Sequence, residues 1–540
     1  MAILEVLTLE AFLRPLEIDI HKIHGLARSL ATTYERLARE SKDQFLSTPI
    51  SDSVLRPVGD TGGRYLAIDI GGTNLRVGFI ELLKPEAETA GLDGISTIAN
   101  GEPKETSRVR RQLEKSWPIG EQLKRNKAED LFAWIGSCIA EVVGDGCKVW
   151  AGELPEEIPL GVTFSFPMIQ HTLSHATLMS MGKGFAITSN SDLGKLLIEG
   201  YESVRNPTLP TIKIHAIVND SVATLVSFAY QLRSNPKRKA AMGLIVGTGC
   251  NATIPLALNK LHTSKRPAQV KVLNDSAASD ETKITVNTEW SINGSAPALR
   301  ESNFITRWDE VLDSQGDTPG FMPFEYMTAG RYLGELGRLI LLDYFIHHLG
   351  IARRNLPPSL LERHGLSTSF LGNLGPHLQH IEPSMLRQLE KELPPAEHAE
   401  AFHWTEETAE VVYKVGKAIQ VRAAGMTAAA IIGLLSCADE ISLSPLPTPN
   451  STPEHKITNG NHVPPSNKIE ELMVGYTGGC ISHFQDFLED CQRFLDAIMD
   501  AEFGEKALGV PRVVLTPCHD GGIIGAGILA GTVKGISSPS

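Results

Sequence analysis

Hydrophobic positions along this chain follow two different periods. Near the start, Ile20, Ile23, Leu26, Ala27 and Leu30 recur at helical spacing with charges between them, and the first 50 residues read as helical. Strand signals follow. YLAIDI and RVGFIEL flank Gly71-Gly72-Thr73-Asn74, a pattern of strand, glycine turn, strand. Residues 83–110 are polar and loop-like. LFAWIGSCIAEVVG (131–144) predicts an amphipathic helix, and IPLGVTFSF (158–166) and IKIHAIVND (212–220) predict buried strands. SVATLVSFAY (221–230) opens a helix directly after the second of these. MGLIVGTGCNATI (242–254) repeats the earlier order: apolar strand, Gly-Thr-Gly turn, strand.

Residues 262–282 read as a loop and ITVNTEW as a short strand, and long helical patterns cover 324–349 and 406–436. The stretch 442–468 is rich in Pro, Ser, Thr and Asn and reads as a loop or disordered insertion. MVGYTGG (473–479) is strand-like and ends in a glycine turn, HFQDFLEDCQRFLDAIM is helical, and RVVLTP leads into the small-residue helix HDGGIIGAGILAGTV. Strands alternating with helices predict an α/β fold. The two strand–glycine–strand units, one in each half, point to a duplicated architecture.

Composition narrows the function. At 540 residues and 42% hydrophobic, the chain can bury large cores, and ~150 residues per domain suggests two or three domains. The 63 acidic against 50 basic residues, a formal charge of −13, argue against a general nucleic-acid binder but not against a small phosphorylated ligand held locally. Seven Cys without CxxC or Cys/His ligand spacing read as reduced thiols. No uncharged apolar run reaches the roughly 20 residues of a membrane span, and the start lacks a basic region with an apolar core. A soluble cytoplasmic protein is expected.

Four glycine turns each follow an apolar strand: Gly71-Gly72, Gly247-Thr248-Gly249, Gly478-Gly479 and Gly521-Gly522. Glycine lets successive backbone N–H groups converge on an anion, a Thr hydroxyl can donate to phosphate, and a nearby Asp can hold the hydration shell of Mg²⁺. No GxxxxGK[ST] motif occurs, so this is not a Walker A loop. Asp220 ends an apolar strand and reads either as a general base for a hydroxyl or as a helix cap. Asn251, Glu289 and Glu325 are suited to sugar hydroxyls, although Glu325 also reads as a favourable charge in a first helical turn.

Together these residues resemble the eukaryotic hexokinase family, including glucokinases, from about residue 20 to residue 534. AIDIGGTNLRV, LGVTFSFPMIQ, GKGF, IVND, GLIVGTGCNA, VNTEW and FEYMTAGRYLGE stand in family order. The resemblance implies the two-lobed actin-like ATPase fold, each lobe with a central mixed sheet flanked by helices. It also implies an ATP- and Mg²⁺-dependent transfer to the 6-hydroxyl of glucose, mannose or fructose. By this resemblance Asp220 is the general base and Lys183 a second catalytic residue. The hexose is held by Ser165, Phe166, Pro167, Lys183, Asn219, Asp220, Asn251, Glu289 and Glu325. Gly71, Gly72, Thr73, Asn74 and Arg76 form the first phosphate loop, Gly247 and Thr248 the second, and Gly478, Gly479, Gly521 and Gly522 complete the nucleotide side. Asp69 orients Mg²⁺ through water. The expected division is an N-terminal helical segment (1–60) packed on the large lobe, a small lobe (61–210) rejoined by the C-terminal helix (523–540), and a large lobe (211–522).

The chain departs from the family pattern in places. Gly182 stands where the family has Thr, which removes about 1 kcal/mol of sugar contact, and Met181 replaces Trp. Ser291-Ile292-Asn293 replaces Gly-Ala-Phe. Tyr476-Thr477-Gly478-Gly479 and Asp520-Gly521-Gly522-Ile523 each lack a Ser found in the family's nucleotide turns. Because Asp220, Lys183 and the Asp69 loop all survive, the resemblance implies a working hexose kinase. The alternative is a weakly active or inactive hexokinase-like sugar sensor, with a regulatory protein as partner; no nucleic acid is expected as a direct partner.

Overall fold

The computed structural model describes residues 8–55, 62–83, 108–120, 122–123, 127–179, 191–232, 235–267, 270, 279–316, 318–374, 383–397, 402–444, 469–504 and 509–534. Its strands are β1 (Leu46–Ser51), β2 (Gly63–Ile70), β3 (Asn74–Leu82), β4 (Val109–Pro118), β5 (Glu157–Phe164), β6 (Met168–Thr172), β7 (His175–Leu178), β8 (Thr211–Val218), β9 (Arg238–Val246), β10 (Cys250–Ala257), β11 (Lys283–Asn287), β12 (Glu471–Thr477) and β13 (Arg512–Pro517). The principal helices are α1 (Ile20–Glu40), α2 (Ala128–Val149), α3 (Leu193–Val204), α4 (Asp220–Gln231), α5 (Pro323–Thr328), α6 (Gly330–His347), α7 (Glu406–Cys437), α8 (Phe487–Phe503) and α9 (Gly521–Lys534).

Among the described residues, one sheet has five strands in the order β4-β3-β2-β5-β8 and another has six in the order β1-β11-β10-β9-β12-β13, and β6 pairs with β7 in a hairpin. Both sheets are mixed and built alike. Three strands run parallel (β2, β5, β8 in one; β9, β12, β13 in the other), and antiparallel strands continue from the first of each triple. The two glycine-turn hairpins, β2–β3 and β9–β10, occupy equivalent places in the two sheets. This is the α/β architecture expected, with a duplicated plan.

A helical layer separates the sheets. Helix α9 lies on the five-stranded sheet and α4 on β9 of the six-stranded one, and the two helices pack together. Small residues make this possible. A Cβ on Gly161 of β5 would run into the Ala526 carbonyl, and one on Gly525 into the Ala223 carbonyl. A Cβ on Gly243 would stand 2.6 Å from the Ser221 carbonyl oxygen. The outer face of the five-stranded sheet is covered by α2, where Phe79 meets Trp150 edge-on. On the six-stranded side, α1, α6, α7 and α8 join one large apolar core.

Three features differ from the pattern-based reading. The first 50 residues do not stay helical: β1 joins the edge of the six-stranded sheet beside β11. Residues 109–118, charged as VRRQLEKSWP, form the edge strand β4, where solvated charges are compatible with pairing on one side only. A bulge at Leu113 (φ +51°) opposite Gly78 breaks the alternation that would have revealed it. Strand β8 runs to Val218 within the five-stranded sheet, so that sheet continues past residue 210. The insertion at 442–468 lies largely outside the described residues.

Helix α7 has 32 residues and is long and apolar enough to cross a bilayer, but 89% of its apolar window is buried inside the fold. Within it Arg422, 1% exposed, donates 2.8 Å bonds to both oxygens of Asp309, which also accepts from the Thr306 hydroxyl at 2.6 Å. Removing one partner of such a pair strands a buried charge. Asp309→Ala is expected to lower the unfolding free energy by about 3–5 kcal/mol, read as a lower urea midpoint. A loss under about 1 kcal/mol, the value of a surface pair, would contradict this account. Glu502 of α8 ties α1 through His24 (2.6 Å) and Arg28 (2.8 Å). Burial works to raise the Glu502 carboxyl, but donors from Ser444, His24 and Arg28 outweigh it and hold it down to about 2. Its contribution is therefore present above pH 4.5 and lost as pH falls towards about 2. Urea titrations across that range are expected to show the stability gap between wild type and Glu502→Gln narrowing with acid.

Candidate active site

The parallel triples aim their carboxyl ends at one region, the usual ligand position in α/β sheets. Register fixes who meets there. Asp69 of β2 and Val218 of β8 both lie opposite Thr163 of β5. Ser165 N donates to the Ile70 carbonyl at 3.0 Å. Asp69, Ser165 and Asn219 therefore share one sheet edge. In the other sheet Thr477 pairs with Ile245, and Cys518 N bonds the Tyr476 carbonyl at 2.7 Å. The turns at 247–249, 478–479 and 519–522 accordingly sit side by side.

On the nucleotide side, the first turn closes through Gly71 N to Asn74 O (2.9 Å), leaving Thr73 and Asn74 exposed. Gly247 and Gly478 come so close that a Cβ on Gly247 would stand 3.4 Å from the Gly478 Cα. Gly478 has φ +123°, and a Cβ there would strike the Val246 carbonyl. The carbonyls of Gly247 and Thr248 receive the N–H groups of Gly330 (2.8 Å) and Arg331 (3.2 Å), so helix α6 buttresses this loop from behind. Arg76 bonds Asp69 Oδ2 and Asp520 Oδ1, each at 2.6 Å, and Arg111 bonds Asp520 Oδ2 at 2.7 Å. Burial raises the Asp69 carboxyl above its ordinary value, against the pull of Arg76, with the charge of Asp520 adding to the rise. A Cβ on Gly522 would stand 2.6 Å from Asp69 Oδ2, and one on Gly521 3.0 Å from Thr224 Cα. These two glycines serve close approach of α9, and Ile523 beside them is fully buried in the apolar core.

The sugar-side candidates form a continuous polar wall. Asn219, 4% exposed, caps α4 by accepting from Ser221 N and Ser221 Oγ at 3.0 and 2.7 Å. Asp220 is thus not the cap; it is the first helical residue, and its Oδ1 accepts from Ser221 N at 2.8 Å. Ser221 Oγ meets Thr253 Oγ1 at 2.7 Å, and Thr253 lies opposite Asn287 across β10–β11. Asn251 donates to Asn287 Oδ1 (2.9 Å) and Glu289 Oε1 (3.2 Å), and Asn287 donates to the same Glu289 oxygen at 2.9 Å. Glu325, 5% exposed, accepts from Cys250 N at 3.1 Å, while its Oε1 is buried without a hydrogen-bond partner among the described residues.

The structure thus draws together Asn219, Asp220, Asn251, Glu289 and Glu325 on one side and Asp69, Arg76 and the glycine turns on the other. Phe166 is 2% exposed with its ring 5.1 Å from that of Phe164, a packing position, and Pro167 O accepts from Met179 N. Lys183, with Met181 and Gly182, lies outside the described residues. Sequence reasoning passed over Asn287, although it stands inside the VNTEW motif two residues before Glu289. It also left Asp520 unassigned, because only the fold brings that carboxylate to Arg76. Among the described residues no cluster of three His, Cys, Asp or Glu side chains is arranged to hold a metal directly.

Comparison with known proteins places this geometry. Two family models, both described as hexokinase, match residues 8–230 and 241–532. Hexokinase-1 of Nicotiana tabacum is 26% identical over 475 residues, 88% of this chain and 80% of its own length. The hexokinase of Emericella nidulans is 25% identical over 477 residues, again 88% and 80%. The solved structure of Schistosoma mansoni hexokinase complexed with glucose superposes with a TM-score of 0.69 at 24% identity, covering 97% of this chain and 98% of that one. With a shared two-lobed fold and family matches through both halves, the chain belongs to the hexokinase family of sugar phosphotransferases.

Proposed function

We propose that this protein transfers the γ-phosphoryl group of ATP to the 6-hydroxyl of a hexose such as glucose, with Asp220 as general base. The polar wall from Asn219 to Glu289 carries the reading, together with the buried, unmatched Glu325 Oε1 beside it. A buried carboxylate oxygen without a donor is costly, and a sugar hydroxyl satisfies it. Glucose bound to the Schistosoma mansoni relative is consistent with this choice of ligand.

Asn251, Asn287, Glu289 and Glu325 bind and orient the sugar. The Ser221 N–H fixes the direction of the Asp220 carboxylate. As the 6-oxygen bonds to the γ-phosphorus, its proton passes to Asp220 and the bond to the departing ADP oxygen breaks. The nucleotide side fits a phosphate chain with Mg²⁺: glycine turns present backbone without Cβ atoms, and a buried carboxylate, Asp69, stands at the end of the strand leading into the first turn. Asp69 would hold the ion's water shell, and bound Mg²⁺ would supply charge neutralisation to the phosphates.

A second reading, a sugar sensor of weak or no turnover, draws on that same side. Arg76 is engaged by two carboxylates, and Gly522 leaves no room for the family's hydroxyl. A coupled ADP-release assay with glucose, fructose and mannose separates the two. Turnover with a hexose is expected. Glucose binding by calorimetry without turnover at saturating ATP would select the sensor. Asp220→Ala is expected to cut kcat by about 10²–10⁴ while leaving the melting temperature close to wild type; retained activity would remove Asp220 from its role. The two missing hydroxyls are not equivalent. A Cβ on Gly479 meets only His483, at 3.9 Å, so Gly479→Ser is expected to be accommodated and to lower KM for ATP by about fivefold, the worth of one hydrogen bond. Gly522→Ser is expected to displace Asp69 and depress turnover. The opposite ranking of these two variants would refute the packing argument.

A further inference from the structure

Two residues near the sugar-side wall hold a left-handed backbone that non-glycine residues seldom adopt: Phe45 at φ +55° and Glu289 at φ +44°. Such strain persists only where surrounding structure enforces it, and it concentrates at functional sites. Here the two positions enforce each other. Phe45 N donates to the Thr288 carbonyl at 3.0 Å, and the Gln44 side chain donates through Nε2 to the Glu289 carbonyl at 2.8 Å. Gln44 is only 1% exposed, and room for its amide depends on Gly294, where a Cβ would run into Gln44 Oε1. The turn bearing Gln44 is itself anchored. Gln44 N bonds Ser41 Oγ at 3.1 Å, and Lys265 Nζ donates to the carbonyls of Leu37 (3.1 Å) and Gln44 (3.2 Å).

Glu289 has no regular element to hold it, because β11 ends at Asn287. Its carboxylate is steadied by Asn251 and Asn287, but its backbone is steadied from the segment linking α1 to β1. We propose that Gln44 is a positioning residue for sugar binding: by holding the Glu289 peptide in its left-handed conformation, it sets the direction of the Glu289 carboxylate and hence the affinity for hexose. This rests on the reading that Glu289 contacts the sugar.

The test is a coupling cycle in the full chain, with glucose affinity read by calorimetry and folding by thermal melting. Gln44→Ala and Glu289→Gln are each expected to weaken glucose binding about tenfold. The double variant is expected to bind no more weakly than Glu289→Gln alone, because Gln44 acts through Glu289. Losses that multiply in the double variant would overturn the proposal, as would wild-type affinity in Gln44→Ala. Unchanged binding in Glu289→Gln would instead remove Glu289 from the sugar site, a separate failure. Should Gln44→Ala not fold, Gln44→Met keeps the volume without the donor and carries the same expectation; wild-type affinity there would equally overturn it. In turnover, the Gln44 variants are expected to raise KM for the sugar and not KM for ATP, a split that general destabilisation would not produce.

Discussion

The contact on which the nucleotide side depends is the approach of the chain's last helix to a carboxylate near its beginning. Gly522, at the start of α9, lies so close to Asp69 that no Cβ fits between them. The helix reaches that position because Gly161 and Gly525 allow backbone to meet backbone on its two sides. The Thr163 hydroxyl donates to the Gly522 carbonyl at 2.8 Å and pins the approach. Asp520, just before the helix, then falls within reach of Arg76 and Arg111. One steric constraint thus assembles the charged network around the first phosphate turn.

The same layer serves the sugar side. Helix α4 packs between α9 and the six-stranded sheet, so its first turn, with Asn219 and Asp220, comes to rest against β10. Ser221 and Thr253 complete the join with a hydrogen bond between hydroxyls that are both fully buried. Across the β10–β11 pairing, Asn287 lies opposite Thr253 and joins Asn251 and Glu289 by hydrogen bonds, which gives the sugar candidates the support of a sheet rather than of separate loops. The strained backbone at Glu289 is supported from outside the two sheets, by the segment that follows α1.

Much of the fold was legible from periodicity. The buried strands β2, β8 and β9 read as apolar runs ending in glycine or in Asn-Asp, β5 as an apolar run leading into Ser-Phe-Pro, α2 as an amphipathic helix, and α6 and α7 as long helical patterns. What stayed hidden lay at edges. Strand β4 carries four charged residues and a bulge, and β1 is short and follows a long helix, so neither offers clean alternation. The motifs around Asp69, Asn219 and Glu289 were visible because each follows an apolar strand and the segments stand in family order. Asn287 and Gln44 were not, since an amide inside or before a strand has no distinctive spacing.

By itself the sequence determined the family, the α/β alternation, the glycine turns and the identity of the polar residues available for sugar and phosphate. These follow from local periodicity and from residue chemistry, which are carried by neighbours in the chain. Tertiary structure alone decided which of those residues act together. It assigned the cap of α4 to Asn219 and left Asp220 as the first helical residue. It also made Gly522 a packing requirement, joined Asp520 to Arg76 across 444 residues of chain, and placed Gln44 behind Glu289. The physical reason is that close approach and hydrogen bonding act through space, while sequence pattern records only what lies within a few turns or strands of each residue.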